Sequence, residues 1–242
     1  MLNTQENNNF KIGVRDGIPI GLGYLSVSFA FGIFAVASGL SVWETLLISM
    51  LNLTSAGQLA GVPIITAGGS FFELALTQLV INLRYSLMSI SLSQRLGESV
   101  RVRDRFLISF ANTDEIFAVS SGREEVLGRR YFFGLIIPPY LGWTIGTLFG
   151  ALAGNILPLI ITSALGIAIY AMFVAIVVPV VKRNTKTALA VFTAIFLSCL
   201  FFYTPVLNKI PSGFVIVICA VSVSALFALI CPIKTEAVAE NE

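Results

Sequence analysis

Arg84, Asp114 and Glu115 are the residues from which chemistry could be built, because each is ionisable and each lies inside apolar sequence. Arg84 sits near the centre of the stretch Phe71–Ser93, and the two carboxylates lie within FLISFANTDEIFAVSS, residues 106–121. A charge at the centre of a bilayer costs about 2.5–3.5 kcal/mol even on the most lenient insertion scale, so each of the three needs a partner or a task. Two readings stand. Arg84 pairs with Asp114 or Glu115 and ties two segments together, or the same charges bind or gate an ionic substrate. A carboxylate in surroundings of low polarity is also the group that proton coupling would use, since its pKa rises toward the working range. Asp114 is the first candidate for that role and Glu115 the second.

Uncharged polar residues form a second group. The run NLTSAGQLAGVP, residues 52–63, combines Asn52, Thr54, Ser55 and Gln58 with Gly57, Gly61 and Pro63, which is poor material for an uninterrupted helix. An unwound segment exposes N–H groups at one half-helix end, suited to a carboxylate, and C=O groups at the other, suited to an ammonium. A zwitterionic amino acid carries both. The plainer reading of the same residues is close helix packing, although Gln58 is large for that purpose. Gln78, Asn82, Ser86, Ser89 and Ser93 form a polar stripe at helical spacing, with Arg84 roughly opposite.

Several chemistries are disfavoured. There is no histidine, so the usual triad base and the commonest zinc ligand are missing. Cys199, Cys219 and Cys231 are odd in number and form no C-x-x-C, and no phosphate-binding G-x-x-x-x-G-K-[ST] loop occurs. No catalytic residue, metal or cofactor is therefore expected, and the chain is not expected to be an enzyme. An intramembrane enzyme using Asp114 and Glu115 as acid and base, and a channel or scaffold, remain as alternative functional classes. The formal net charge of +2 gives no footprint for nucleic acid.

The elements that must position these groups are helices in lipid. Of 242 residues, 56% are hydrophobic and 12% charged, against about 25% charged in an ordinary soluble domain. Uncharged runs cover 17–43, 45–72, 131–181, 187–208 and 210–233, each at or above the roughly 20 residues that span a bilayer as helix. They lack the alternating polarity of a membrane β-barrel. The expected fold is all-α: a polytopic helical membrane protein with about 6–8 membrane segments, one or two of them re-entrant or broken. The layout is a cytoplasmic N-terminal tail over 1–16, a single transmembrane transport domain over 17–233 and a polar C-terminal tail over 234–242.

Helices are expected over 17–40, 71–93, 187–203 and 214–230, with Pro19 near the start of the first and a break within 45–66. The run 131–181 divides at Gly154, Asn155 and Pro158 into an antiparallel pair, followed by a cytoplasmic turn at Lys182, Arg183 and Lys186. Arg95, Arg101, Arg103, Arg105, Arg123, Arg129 and Arg130 place both flanks of 95–130 in the cytoplasm, so 106–121 must dip in and return or lie at the interface. Both chain termini are expected on the cytoplasmic side of the cell membrane. An even number of spans must then precede Arg95, which makes the second segment re-entrant or broken. A weak internal similarity links residues 18–32 to 137–151, with chance the better explanation.

The ordered set Gly17-Ile-Pro-Ile-Gly-Leu-Gly, TSAGQLAG from Thr54, NLRYSL from Asn82 and Thr113-Asp114-Glu115 resembles the AzlC/YgaZ family, the larger subunit of branched-chain amino-acid exporters. The resemblance covers almost the whole chain. Its strongest elements are the last two, because ionised residues at membrane depth are rare by chance. It implies a secondary transporter exporting leucine, isoleucine, valine or similar small amino acids, with proton coupling as an option. It also implies a small membrane partner of the AzlD/YgaH type beside this chain in the lipid. Substrate contact is expected at Thr54, Ser55, Gly57, Gln58, Asn82 and Arg84, and coupling or charge pairing at Asp114 and Glu115.

Overall fold

The computed structural model describes residues 3–154, 156–157, 174, 177–178, 181–182 and 184–230. The described residues are almost wholly helical: α1 (Phe10–Ala37), α2 (Val42–Leu51), α3 (Ser55–Thr66), α4 (Phe71–Ser93), α5 (Val102–Phe110), α6 (Asp114–Ser121), α7 (Arg129–Gly154), α8 (Thr185–Tyr203) and α9 (Ser212–Ile230). A two-stranded parallel sheet, β1 (Asn3–Asn7) with β2 (Glu125–Leu127), precedes α1 and α7. The partner helix expected after Gly154 and the tail from Lys234 lie outside the described residues.

α1 and α7 pack side by side along their lengths and run parallel. Gly17 meets Leu135, Gly21 meets Pro138, and Ile33 meets Gly154, so contacts advance in the same direction on both helices. Glycine sets the separation. A Cβ at Gly17 would lie 2.5 Å from the Leu135 carbonyl oxygen, and one at Gly21 2.6 Å from that of Pro138, both shorter than real contacts. Small residues four apart thus bring the two backbones together, as they do in lipid-embedded helix pairs.

The first helix starts at Phe10, seven residues before the expected Gly17, because the Asn9 side chain accepts from the Lys11 amide at 3.0 Å and caps it. The described part of the expected tail is therefore strand and helix. Pro19 accordingly lies in the helix interior, where it cannot donate to the Arg15 carbonyl.

Ser41 caps α2 reciprocally with Glu44. The expected break in 45–66 falls at residues 52–54, between α2 and α3. A second break, at 111–113, divides 106–121 between α5 and α6. Among the described residues four helices, α1, α7, α8 and α9, are long and apolar enough to cross a membrane by length and composition. Two parallel spanning helices require one net return between them. α4, with 23 residues, reaches about 35 Å and is long enough, whereas α2, α3, α5 and α6 are each too short.

Candidate functional site

Both breaks are held by the polar stripe of α4. At the first, Thr54 takes an extended conformation, its hydroxyl accepts from the Gly57 amide at 3.4 Å, and it donates to Asn82 Oδ1 at 2.9 Å. Asn82 Nδ2 donates in turn to Gln78 Oε1 at 3.1 Å, and Gln78 Nε2 donates to the Gly57 carbonyl at 2.7 Å. At the second, Thr113 caps α6, and Asn112 Nδ2 donates to Ser89 Oγ at 3.0 Å. Backbone groups freed by a break need such partners, since hydrocarbon supplies none.

The other side of α4 faces a cavity of about 640 Å³ into which both breaks open. Arg84 Nη2 meets Asp114 Oδ2 there at 2.8 Å, both side chains being about half exposed (49% and 48%). The guanidinium also donates to the Tyr85 hydroxyl at 3.1 Å and lies 4.8 Å above that ring's centroid. The Tyr24 hydroxyl of α1 donates to Glu115 Oε2, and the Tyr24 ring meets Trp143 of α7 edge-on at 5.1 Å. Ile20, Val27, Leu53 and Ile81 supply apolar wall. One chamber thus offers a cation, two carboxylates and a hydrocarbon surface.

The residues singled out from the sequence divide into three groups. Ser55, Arg84, Asp114 and Glu115 line this cavity. Thr54 and Asn82 stand behind it in the network that caps α3. Gly57 and Gln58 line a separate apolar cavity of about 280 Å³. Gln58 is 1% exposed, and its Nε2 donates to Ser49 Oγ at 3.0 Å, which in turn lies 2.7 Å from Thr147 Oγ1 of α7. In this conformation Gln58 ties α3 to α2 and α7. At Gly57 a Cβ would lie 2.5 Å from Gln78 Oε1, so a side chain there would displace the Gln78 amide.

Tyr24, Tyr85 and Trp143 were not singled out. A signal for two of them was present: Tyr24 and Trp143 occupy equivalent places in the similar segments 18–32 and 137–151. In the structure these are corresponding parts of the parallel pair α1 and α7, and the two rings touch. A third cluster lies nearer the N-terminal ends of that pair. Asp16 accepts from Arg123 and, at 2.8 Å, from the Tyr131 hydroxyl, while Arg95 donates to the Arg123 carbonyl at 2.7 Å. Hydrogen bonding to Asp16 holds the Arg123 guanidinium above the usual arginine range. Among the described residues no group of three or more Cys, Asp or Glu side chains is placed to hold a metal ion.

A family model described as AzlC protein matches residues 19–157. An uncharacterised membrane protein of Archaeoglobus fulgidus is 32% identical over 184 residues, covering 75% of this chain and 80% of that one. The inner membrane protein YgaZ of Escherichia coli is 29% identical over 183 residues, covering 72% of this chain and 74% of the relative. An uncharacterised membrane protein of Helicobacter pylori is 26% identical over 180 residues, 73% of this chain and 78% of that one. No solved structure matches.

Proposed function

This chain belongs to the AzlC family of membrane proteins, and on that premise we propose that it is a secondary transporter exporting branched-chain or similar small amino acids. The observation that supports the reading most is the cavity where the two breaks meet, with Arg84 opposed to Asp114 and Glu115 between apolar walls. A zwitterion uses all of these features. Its carboxylate fits Arg84 and the N–H end of α3 beside Ser55, and its ammonium fits Asp114 and the carboxylate held by Tyr24. Its aliphatic side chain fits against Ile20, Val27, Leu53 and Trp143. Thr54 and Asn82 act by holding the α3 end in place. Gly57 and Gln58 would reach substrate only in a conformation that moves α3.

The protein would reside in the cytoplasmic membrane, as the name of the Escherichia coli relative states for that protein, with both termini cytoplasmic. Residues 17–233 would then act as one transport unit. Asp114 is the carboxylate best placed to exchange a proton during the cycle, since Arg84 must release it when substrate arrives. A small hydrophobic subunit of the AzlD/YgaH type would stand beside this chain in the membrane and cover irregular backbone and polar stripes that lipid does not satisfy. Efflux of labelled leucine, valine and methionine from cells with and without the chain tests the reading. Substrate-selective, saturable efflux supports it; equal efflux from both cell types contradicts it.

A further inference from the structure

At the end where α1 and α7 begin, a third cavity of about 510 Å³ is lined by Phe10, Glu98, Arg101, Arg129, Arg130 and Phe133, among others. The helix start is not its attraction, because the Arg129 and Arg130 amides already donate to Ser99 Oγ at 2.9 Å and Asn8 Oδ1 at 2.6 Å. The guanidiniums are. Arg129 is committed, its Nε lying 3.2 Å from the buried carboxylate of Asp104. Arg101 and Arg130 are exposed and have no ion-pair partner among the described residues. Among the described residues Glu98 is the one carboxylate that lines the cavity with them.

From this cavity an apolar stripe leads away along α7. Ile137, Leu141, Ile145 and Phe149 follow Phe133 at four-residue spacing and are 42%, 48%, 39% and 57% exposed. Such spacing makes one continuous ridge, which turns about 40° around α7 at each step. From Phe133 to Phe149 the ridge climbs about 24 Å, more than the roughly 15 Å depth of one leaflet's hydrocarbon. A cationic cavity at the head of an apolar track matches a molecule with a phosphate at one end and an acyl chain at the other. Guanidinium forks suit phosphate oxygens in particular.

We propose that this cavity holds the phosphate headgroup of an anionic phospholipid, with an acyl chain along the α7 stripe. Free phosphate shares the headgroup chemistry, but it would leave the apolar track unused. The test is native mass spectrometry of the full chain in mixed micelles containing phosphatidylglycerol or phosphatidylcholine of the same acyl chains. Wild-type protein should retain phosphatidylglycerol preferentially. R101Q/R130Q should weaken that retention about 25-fold, at roughly fivefold per arginine near a membrane surface. E98Q, which removes the competing carboxylate, should strengthen it. Equal retention of both lipids by the wild type, or an unchanged preference in R101Q/R130Q, overturns the proposal. Should that variant not fold, failure of E98Q to raise retention overturns it instead. Inorganic phosphate alone should not displace the lipid; displacement would assign the cavity to a free anion and overturn the lipid reading.

Discussion

At the pair of Arg84 and Asp114, exposure decides what the contact is worth. Half-exposed ion pairs in water contribute about 0–1 kcal/mol, whereas a fully buried pair broken on one side costs about 3–5 kcal/mol. Both side chains are about half exposed beside the cavity, so where water fills that space the pair can separate at low cost and exchange partners with a zwitterion. Arg84→Gln should therefore abolish leucine export while leaving the amount of membrane-inserted protein near normal, as read by labelled-leucine efflux and quantitative blotting. Unchanged export would remove Arg84 from the site. If Asp114 carries the coupling proton, Asp114→Asn should abolish the pH dependence of export at normal expression. A failure to fold would instead mark it as a structural partner of Arg84. The charged residues were legible because lipid makes each of them expensive. Tyr24 and Trp143 were not, since aromatics are common in membrane helices and only their equivalent places in two similar segments set them apart. Gln58 shows the converse: polarity gave its cost, but its destination against Ser49 depended on how α2 and α7 fold around it.

At the scale of elements, the two broken helices explain why so many polar residues gather without facing lipid. α4 satisfies both breaks from one side, through Gln78, Asn82 and Ser89, and presents Arg84 to the cavity on the other. Ser55 and Gln58 lie one helical turn apart but face different chambers. Ser55→Cys should react readily with small aqueous thiol reagents and be protected by leucine, whereas Gln58→Cys should be nearly inert in the resting protein. Equal reactivity at both would contradict the division of the two cavities. The first break was readable in the run 52–63, although it falls at 52–54 and leaves Gly57, Gly61 and Pro63 inside α3; the second was readable only as a stretch that dips in and returns or lies at the interface, because its basic flanks share one side. The limits of α4 were also readable: the expected span 71–93 is the helix observed, which Ser70 caps. The start of α1 was misplaced for a local reason. Asn9 caps the chain before the polar residues end, and polar helix turns outside a membrane core carry no hydropathy signal.

For the molecule as a whole, the parallel pair of α1 and α7 is the frame on which the site is built, since each contributes one of the two touching rings, Tyr24 and Trp143, to the cavity wall. Their separation is fixed by backbone contact. Gly17→Leu should push a side chain into the Leu135 carbonyl, and loss of folded protein after detergent extraction is the expected outcome, well before any change in substrate preference. Normal yield with normal export would show that the close approach is dispensable. The pairing itself was only faintly legible, as the similarity of 18–32 to 137–151, because glycine-rich apolar segments resemble one another by chance. The central claim is that the charged cavity carries an amino acid across the membrane. It is tested most directly in proteoliposomes holding the chain with whatever small subunit co-purifies from native membranes, with Arg84→Gln beside the wild type. Leucine flux that saturates, responds to an imposed gradient and is lost in the variant is the predicted result. Flux that rises linearly with leucine concentration and is equal in both proteins would contradict it.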